Sequence, residues 1–267
     1  MEINWRQALH FPGFYLAADT QYQLHAPFAF ELARAVLEDR RWYYAFDDIE
    51  AIRARMLRSK VSLGLIDYSS TPAGRQPLAR QVPLARVARR SSSSPRQGRW
   101  LFRLAQLLQA RQILELGTSV GIGAMYLASG ARSAQLVSLE GSPDYTHVAA
   151  TNLEILGLQK NCTLLNGPFQ QSLDQALRQH DPWDLIFFDG HHQEAATLAY
   201  FEQCLPHLSA TGVAVFDDIY WSAEMLAAWK KIQAKPQVTL SIDLFDLGLV
   251  FINPELKSGQ HLKLVPT

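Results

Sequence analysis

One stretch constrains this chain more than any other: a short apolar strand followed by a glycine-rich turn and a helix, Gln112-Ile-Leu-Glu-Leu-Gly-Thr-Ser-Val-Gly-Ile-Gly-Ala124. Ile113, Leu114 and Leu116 form the apolar run expected of a strand buried on both faces of a parallel sheet. The glycines remove side chains where the backbone must turn and where a ligand could approach closely. Free N–H groups at the start of the helix would point towards that ligand. The stretch therefore predicts a ligand-binding turn at the end of a strand.

Strands and helices alternate regularly after this turn. The predicted strands are 135–140, 162–166, 184–189 and 212–217, and the predicted helices are 143–156, 169–179, 194–208 and 223–233. Such alternation predicts a parallel sheet covered by helices on both faces. Two further strands, 238–245 and 247–253, have almost nothing between them, which predicts an antiparallel hairpin at the edge of the sheet.

The glycine spacing alone leaves two ligand classes open. Gly117-x-x-x-Gly121-x-Gly123 is also the spacing of short-chain dehydrogenases, which bind a nicotinamide dinucleotide. Those enzymes carry the motif near the N-terminus and pair it with Tyr-x-x-x-Lys, whereas here more than a hundred residues precede the turn and no tyrosine has a lysine four places later. Ordinary dinucleotide-binding folds also lack the terminal hairpin. Both observations favour S-adenosylmethionine (SAM) over NAD.

Composition narrows the remaining classes. With 267 residues and 48% hydrophobic content the chain can bury a sizeable core. Lys+Arg 25 and Asp+Glu 25 cancel, so the whole-chain charge favours neither nucleic acid nor an acidic membrane as a partner. No apolar run approaches the roughly 20 residues that a bilayer requires. We expect a soluble, cytoplasmic protein.

The part before the turn is predicted to be separate from it, with 1–97 as a helical extension and arginine-rich linker and 98–267 as the main domain. Pro27 begins one helical pattern, and Asp47-x-x-Glu50 is read as the capping box of a second helix. The aromatic group 42–46 is predicted to pack the extension onto the main domain, although a substrate lid is an alternative. It could equally pack against a second subunit, so a homodimer is a further expectation.

Residues 68–113 contain no acidic residue, and this is the strongest charge asymmetry in the chain. Arginine occurs there at 75, 80, 86, 89, 90, 96, 99, 103 and 111, and the serine run 91–94 marks a loop. The segment could hold an anionic substrate or a nucleic acid. We favour a solvated connector balanced by acids elsewhere.

Acidic residues end several of the predicted strands, where ligands of open parallel sheets bind. Glu140 is placed to accept hydrogen bonds from the ribose hydroxyls of SAM or NAD. Asp189 ends one later strand, and Asp217 with Asp218 ends another. Because neighbouring strands lie about 4.8 Å apart, these carboxylates could converge and bind a hard cation such as Mg²⁺ or Ca²⁺. The alternative is that each aspartate caps the next helix.

Together these motifs resemble a known family. Glu115-Leu-Gly-Thr-Ser-Val-Gly, Leu139-Glu140, Asn166-Gly-Pro-Phe-Gln170, Phe188-Asp189 and Phe216-Asp217-Asp218 resemble, in order and spacing, the catechol O-methyltransferase-like branch of class I SAM-dependent methyltransferases, over about residues 98 to 253. Asp189-Gly-His-His192 resembles the bacterial methyltransferase 24 group. The resemblance implies an α/β fold with a doubly wound, mostly parallel seven-stranded sheet, a C-terminal antiparallel hairpin and an N-terminal helical extension.

The resemblance also assigns roles to residues. It places Glu115, Gly117, Ser119 and Gly121 around the methionine part of SAM, Glu140 on the ribose, and Gly167, Phe169 and Gln170 beside the adenine, with Asp189 also bordering the cofactor. The metal ligands would be Asp189, Asp217 and Asp218, the last standing where the catechol enzymes have asparagine. His192 stands at the position of their general-base lysine, and a histidine can accept a hydroxyl proton at neutral pH. Asp189 and His192 are thus the predicted catalytic pair.

The function predicted from the sequence is SAM-dependent O-methylation of a small-molecule hydroxyl, assisted by a divalent cation. One alternative is a metal-free methyltransferase acting on nitrogen or on a sugar or lipid hydroxyl. The other is a non-catalytic protein that binds SAM or RNA through its arginine-rich segment.

Overall fold

The structure is a computed structural model that describes residues 5–68, 78–90 and 93–267. Arg75 and the first two serines of the predicted loop 91–94 lie outside the described residues. The helices are α1 (Trp5–Ala17), α2 (Pro27–Leu32), α3 (Tyr44–Leu57), α4 (Leu84–Arg90), α5 (Pro95–Leu107), α6 (Ile122–Gly130), α7 (Pro143–Ile155), α8 (Phe169–Gln179), α9 (Glu194–Cys204) and α10 (Ala223–Gln233). The strands are β1 (Ser62–Asp67), β2 (Leu78–Pro83), β3 (Gln112–Leu116), β4 (Gln135–Glu140), β5 (Cys162–Asn166), β6 (Trp183–Phe188), β7 (Leu208–Asp217), β8 (Leu240–Asp243), β9 (Leu247–Phe251) and β10 (Gln260–Lys263).

This is an α/β fold with mostly parallel strands, a C-terminal antiparallel portion and N-terminal helices, as predicted. Its contacts divide the chain into two compact units. Unit 1 comprises residues 41–102 and 113–180, and unit 2 comprises the residues up to 40 together with 103–112 and 181–267. Each unit therefore holds a part of the N-terminal extension. Among the described helices, none has the length and apolarity that crossing a membrane would require.

Unit 1 contains the glycine-rich turn. Its strands lie in the order β3, β4, β5, and β4 pairs with β5 in parallel so that Glu140 faces Asn166 across the pair. Ile113, Leu114 and Leu116 of β3 are at most 1% exposed, which confirms the prediction of a strand buried on both faces.

Unit 1 also contains a β-hairpin that the sequence did not predict. Strands β1 and β2 pair antiparallel from Ser62↔Pro83 to Asp67↔Leu78. This hairpin lies inside the extension that was predicted to be helical. Nearly all of β2 is exposed, so the segment lacks the alternation of buried and exposed residues by which a strand is recognised.

Unit 2 holds the C-terminal strands in the order β10, β8, β9, β7, β6. Strand β6 is parallel to β7, and β9 is antiparallel to both β7 and β8. The antiparallel pairing of the predicted hairpin is therefore confirmed, but its predicted position at the edge of the sheet is wrong, because β10 lies outside β8. Strand β10, which pairs in parallel with β8, was not among the seven predicted strands, because its four residues are mostly polar.

The aromatic group of the extension packs as expected at two of its positions. Phe46 is fully buried, and its ring and that of Tyr43 lie 4.9 and 4.7 Å from the ring of Phe102 on α5. The predicted capping box at Asp47 is wrong, because α3 already begins at Tyr44 and Asp47 lies within its first turn.

Several arginines of the acid-free segment have partners in the structure. Arg103 lies 3.6 Å from Asp39, and both side chains are less than a tenth exposed. Arg96 and Arg99 lie over the rings of Trp100 and Trp42, at 5.1 and 5.6 Å. These contacts favour a structural role for part of the segment, whereas Arg86 and Arg89 on α4 are exposed.

Candidate cofactor and acceptor sites

The turn after β3 has the backbone conformation that its glycines predicted. Gly117, Ser119 and Gly121 all have positive φ angles, of 109°, 49° and 87°, where glycine is the least strained residue. The N–H groups of Gly117 and Thr118 both donate to the Leu139 carbonyl at 3.0 Å. The turn is thus held against the end of β4.

Gly121 has a second reason to lack a side chain. A Cβ atom there would lie 3.0 Å from the Cβ and 3.1 Å from the Cα of Ala149 on α7. The turn and α7 therefore approach more closely than a side chain at position 121 would allow.

Replacing Gly121 by alanine should lower the unfolding temperature by several degrees, because a positive φ costs a non-glycine residue about 1–2 kcal/mol and the new methyl group would also press on α7. Gly157→Ala is the matched control, since Gly157 has a φ of 66° but open space around it. The difference between the unfolding temperatures of the two variants measures how much the contact with α7 contributes to stability. Equal losses in the two variants would show that this contact contributes nothing.

Glu140 faces the turn. Its Oε2 atom accepts a hydrogen bond from the Ser119 N–H at 2.8 Å, and its Oε1 atom accepts one from the Ser142 N–H at 2.8 Å. Burial raises the pKa of Glu140, while these backbone hydrogen bonds act in the opposite direction. A carboxylate fixed at this place can accept further hydrogen bonds, because each oxygen has two lone pairs.

Two other polar residues of the turn lie deeper. Glu115 is 1% exposed, and its Oε2 atom accepts a hydrogen bond from the Ser138 hydroxyl, which lies 2.5 Å from the hydroxyl oxygen of Thr118. Glu115 is thus linked through Ser138 to Thr118 of the turn. Its contact with the methionine part of SAM stays a prediction. The buried Ser119 hydroxyl has no hydrogen-bond partner among the described residues.

The predicted adenine-side residues follow β5. Gly167 has a φ of 144°, donates its N–H to the Glu140 carbonyl at 2.9 Å, and has open space where a side chain would be. Phe169 is buried at the start of α8, whereas Gln170 is exposed. Gly167 thus lies beside Glu140 with room for a nucleoside, and the unpartnered Ser119 hydroxyl is available to another polar part of the same ligand.

In unit 2 the predicted acids lie together. Asp217 is buried, its carboxyl is hydrogen-bonded to Asp189, and burial together with the charges of Asp218 and Asp189 raises its pKa well above the usual range. Asp218 has a φ of 56°, and its N–H donates to the carbonyl of Asp246 at 3.0 Å. Burial, followed by the charge of Asp246, raises the pKa of Asp218 to about 7.

A cation site is partly supported by this arrangement. Within the described residues, no group of three His, Cys, Asp or Glu side chains is already arranged to hold a metal ion. The donor chemistry nevertheless fits a hard cation, because Asp189, Asp217 and Asp218 repel one another and carboxylates are the ligands that Mg²⁺ and Ca²⁺ prefer. Asp218 also has a buried Oδ1 atom without a hydrogen-bond partner among the described residues.

The two adjacent histidines differ in their surroundings. His191 has its Nδ1 atom 2.9 Å from the Tyr200 hydroxyl, and the two rings are stacked. His192 is half-buried, with its Nε2 atom 3.8 Å from Asp189 Oδ1. Burial and the charge of His191 lower the pKa of His192 to about 4. The imidazole is therefore neutral at pH 7 with a lone pair that can accept a proton, but so low a pKa makes it a weak base.

The sequence analysis missed two residues that lie near the candidate sites. Asp246 lies in the turn between β8 and β9, and its charge raises the pKa of Asp218. No sequence motif identifies this residue. Tyr68 lies against Gly141, directly after Glu140. The one sequence signal for this contact is the glycine at position 141, which leaves space for the ring.

The fold is that of methyltransferases of known structure. Solved structures with this fold include an O-methyltransferase from Bacillus cereus in complex with S-adenosylhomocysteine (SAH), with a TM-score of 0.55, 22% identity, and coverage of 79% of this chain and 92% of that one. An SAH-bound methyltransferase from Podospora anserina has a TM-score of 0.58 and 20% identity, with 85% and 96% covered.

The sequence comparisons match a methyltransferase family over part of the chain. Residues 114–219 match the methyltransferase 24 family, described as "Methyltransferase domain", which confirms the resemblance over these residues. A catechol O-methyltransferase from Niastella koreensis is 34% identical over 129 residues, which cover 48% of this chain and 57% of that protein. One from Mycobacterium tuberculosis is 31% identical over 139 residues, with 52% and 61% covered. The chain thus spans about three fifths of the length of these relatives.

Proposed function

We propose that this protein is a SAM-dependent O-methyltransferase that acts on a hydroxyl group of a small molecule. The observation that carries the proposal is the placement of Glu140. Its carboxylate accepts a hydrogen bond from Ser119 of the glycine-rich turn, and its backbone carbonyl accepts one from Gly167, which has open space where a side chain would be. The family match over residues 114–219 and the names of the matched relatives support the same activity.

Binding of the cofactor would draw on unit 1. Glu140 would accept hydrogen bonds from the ribose hydroxyls, the Ser119 hydroxyl would bind the methionine part, and Gly167, Phe169 and Gln170 would border the adenine. When bound, SAM supplies a sulfonium methyl group that a nucleophilic oxygen can attack in line. Because this methyl group is already activated, the protein has mainly to orient the oxygen and remove its proton.

The acceptor would meet the residues that follow β6 and β7. His192 is neutral at pH 7 and would accept the hydroxyl proton, and the carboxylate of Asp189, 3.8 Å away, would stabilise the imidazolium that forms. A divalent cation held by Asp189, Asp217 and Asp218 would lower the pKa of the hydroxyl and fix its orientation. Such binding requires Asp217 to release its hydrogen bond to Asp189.

The first experiment is calorimetric titration of the full chain with SAM and with NAD, followed by a methyl-transfer assay with a catechol as the acceptor. We expect SAM to bind and NAD not to bind. Affinity for NAD without affinity for SAM would instead support the dehydrogenase-like alternative.

Removal of divalent cations tests the cation part of the proposal separately. We expect exhaustive chelation to lower methyl transfer at least about tenfold, since a Lewis acid contributes several kcal/mol to such reactions, and added Mg²⁺ to restore it. Asp218→Ala should abolish the response to Mg²⁺, whereas Asp174→Ala, on the exposed side of α8, should leave it intact. Full activity after chelation would favour the metal-free methyltransferase.

A further inference from the structure

The unpredicted hairpin is fastened to the segment that carries Glu140. The Gly64 N–H donates to Asp144 Oδ2 at 2.6 Å, and the Ile66 N–H donates to the Ser142 hydroxyl at 2.9 Å. Both acceptors lie within four residues of Glu140. Strand β1 therefore runs alongside the loop that leaves β4, although the hairpin is outside the residues that match the methyltransferase family.

The residue that follows β1 fills a space beside Glu140. A Cβ atom on Gly141 would lie 2.8 Å from Cδ2 and 2.9 Å from Cε2 of Tyr68. The Tyr68 ring therefore occupies the place that a side chain at position 141 would take. The φ angle of Gly141 is not positive, so its backbone conformation does not by itself require glycine. Its lack of a side chain thus follows from the presence of the ring.

The other strand of the hairpin reaches the same region. Burial, followed by the negative charge of Glu140, raises the pKa of Tyr145 to about 12, and the positive charge of Arg80 acts in the opposite direction. Tyr145 is thus within electrostatic range of both Glu140 and Arg80 of β2. This agrees with the hydrogen bonds of β1 to Asp144 and Ser142, which hold the hairpin beside the segment that carries Glu140.

The surroundings of Gly141 match a planar base. Glu140 and Asn166 are paired in register, so Gly141 and Gly167 follow at neighbouring strand ends. Gly167 has open space beside it, and Gly141 is covered by the Tyr68 ring. An aromatic ring beside the residue that follows the proposed ribose carboxylate is placed to stabilise the base of a bound nucleoside by stacking or edge contact.

We propose that Tyr68 forms one wall of the adenosine subsite and supplies, from the hairpin, the side-chain contact that Gly141 lacks. This inference rests on the proposed binding of SAM. It extends the cofactor site to a residue outside the methyltransferase domain.

The test is calorimetric titration of the full chain with SAM and with SAH. Tyr68→Ala should weaken both by the same factor, about tenfold, because the two share the adenosine and an aromatic contact with a base contributes about 1–3 kcal/mol. Tyr68→Phe should bind almost as the original chain does. Leu78→Ala, which removes an exposed side chain from the same hairpin, is the matched control, and thermal unfolding without ligand verifies that each variant is folded.

Gly141 provides a second test that does not depend on removing the ring. Gly141→Ala should weaken SAM binding in the original chain, because the new methyl group displaces the ring, but should have little effect in the Tyr68→Ala background. Equal affinities in Tyr68→Ala and the original chain, or additive losses in the double variant, would overturn the inference while leaving SAM binding intact. Absence of SAM binding in the original chain would instead overturn the proposed function.

Discussion

Glu140→Gln should weaken SAM binding by a factor of about 10² to 10³. The variant keeps the size of the side chain but removes the charge that, in the proposed site, would accept hydrogen bonds from two ribose hydroxyls. Each hydrogen bond to a charged group contributes about 1.5–3 kcal/mol, and every 1.4 kcal/mol is a factor of ten in affinity. The amide can also accept only at its oxygen, so one of the bonds to Ser119 and Ser142 is lost as well.

Calorimetric titration with SAM measures this effect, and Glu154→Gln is the matched control. Glu154 is an exposed carboxylate on α7, so its replacement makes the same change in net charge away from the turn. Unfolding without SAM separates loss of binding from a loosened turn. If Glu140→Gln bound SAM as tightly as Glu154→Gln does, the ribose role of Glu140 would be wrong.

His192→Gln should reduce kcat by a factor of about 10² to 10⁴, the usual contribution of a positioned general base. Its affinity for SAM should be unchanged, because the residue belongs to the predicted acceptor side. The variant keeps a polar side chain of similar length but cannot take up the proton of the acceptor hydroxyl.

The neighbouring histidine gives the control for this prediction. His191 is hydrogen-bonded to the Tyr200 hydroxyl. Its replacement by glutamine should reduce kcat much less than His192→Gln does. Steady-state kinetics with saturating SAM and a catechol acceptor would compare the two. Equal losses in both variants would mean that the loop, and not the proton acceptor, was damaged.

Most of the fold could be predicted because its signals are local. Strands 135–140 and 162–166 and helices 169–179 and 223–233 were predicted with the bounds that the structure has. Each strand there is a short apolar run, and each helix carries its own periodicity. The hairpin β1–β2 and strand β10 were missed because their residues are largely exposed or polar, so pairing with other segments decides their conformation.

The candidate site was predictable only as far as topology determines it. Position at a strand end was enough to single out Glu140, Asp189 and Asp217. The sequence could not show that Glu115 lies buried beneath the turn, or that Asp246 lies near Asp218. These facts depend on side-chain direction and on contacts between segments far apart in the chain.

The ion pair between Arg103 and Asp39 has a consequence for any shortened form of this protein. A chain trimmed to begin at residue 98 would keep the guanidinium group on α5 but lose its counter-charge. Removing one partner of a buried ion pair typically costs about 3–5 kcal/mol, a large share of the stability of an ordinary domain. Residues far from the glycine-rich turn in the sequence therefore contribute to the stability of the fold, and a chain cut at residue 98 would lose that contribution.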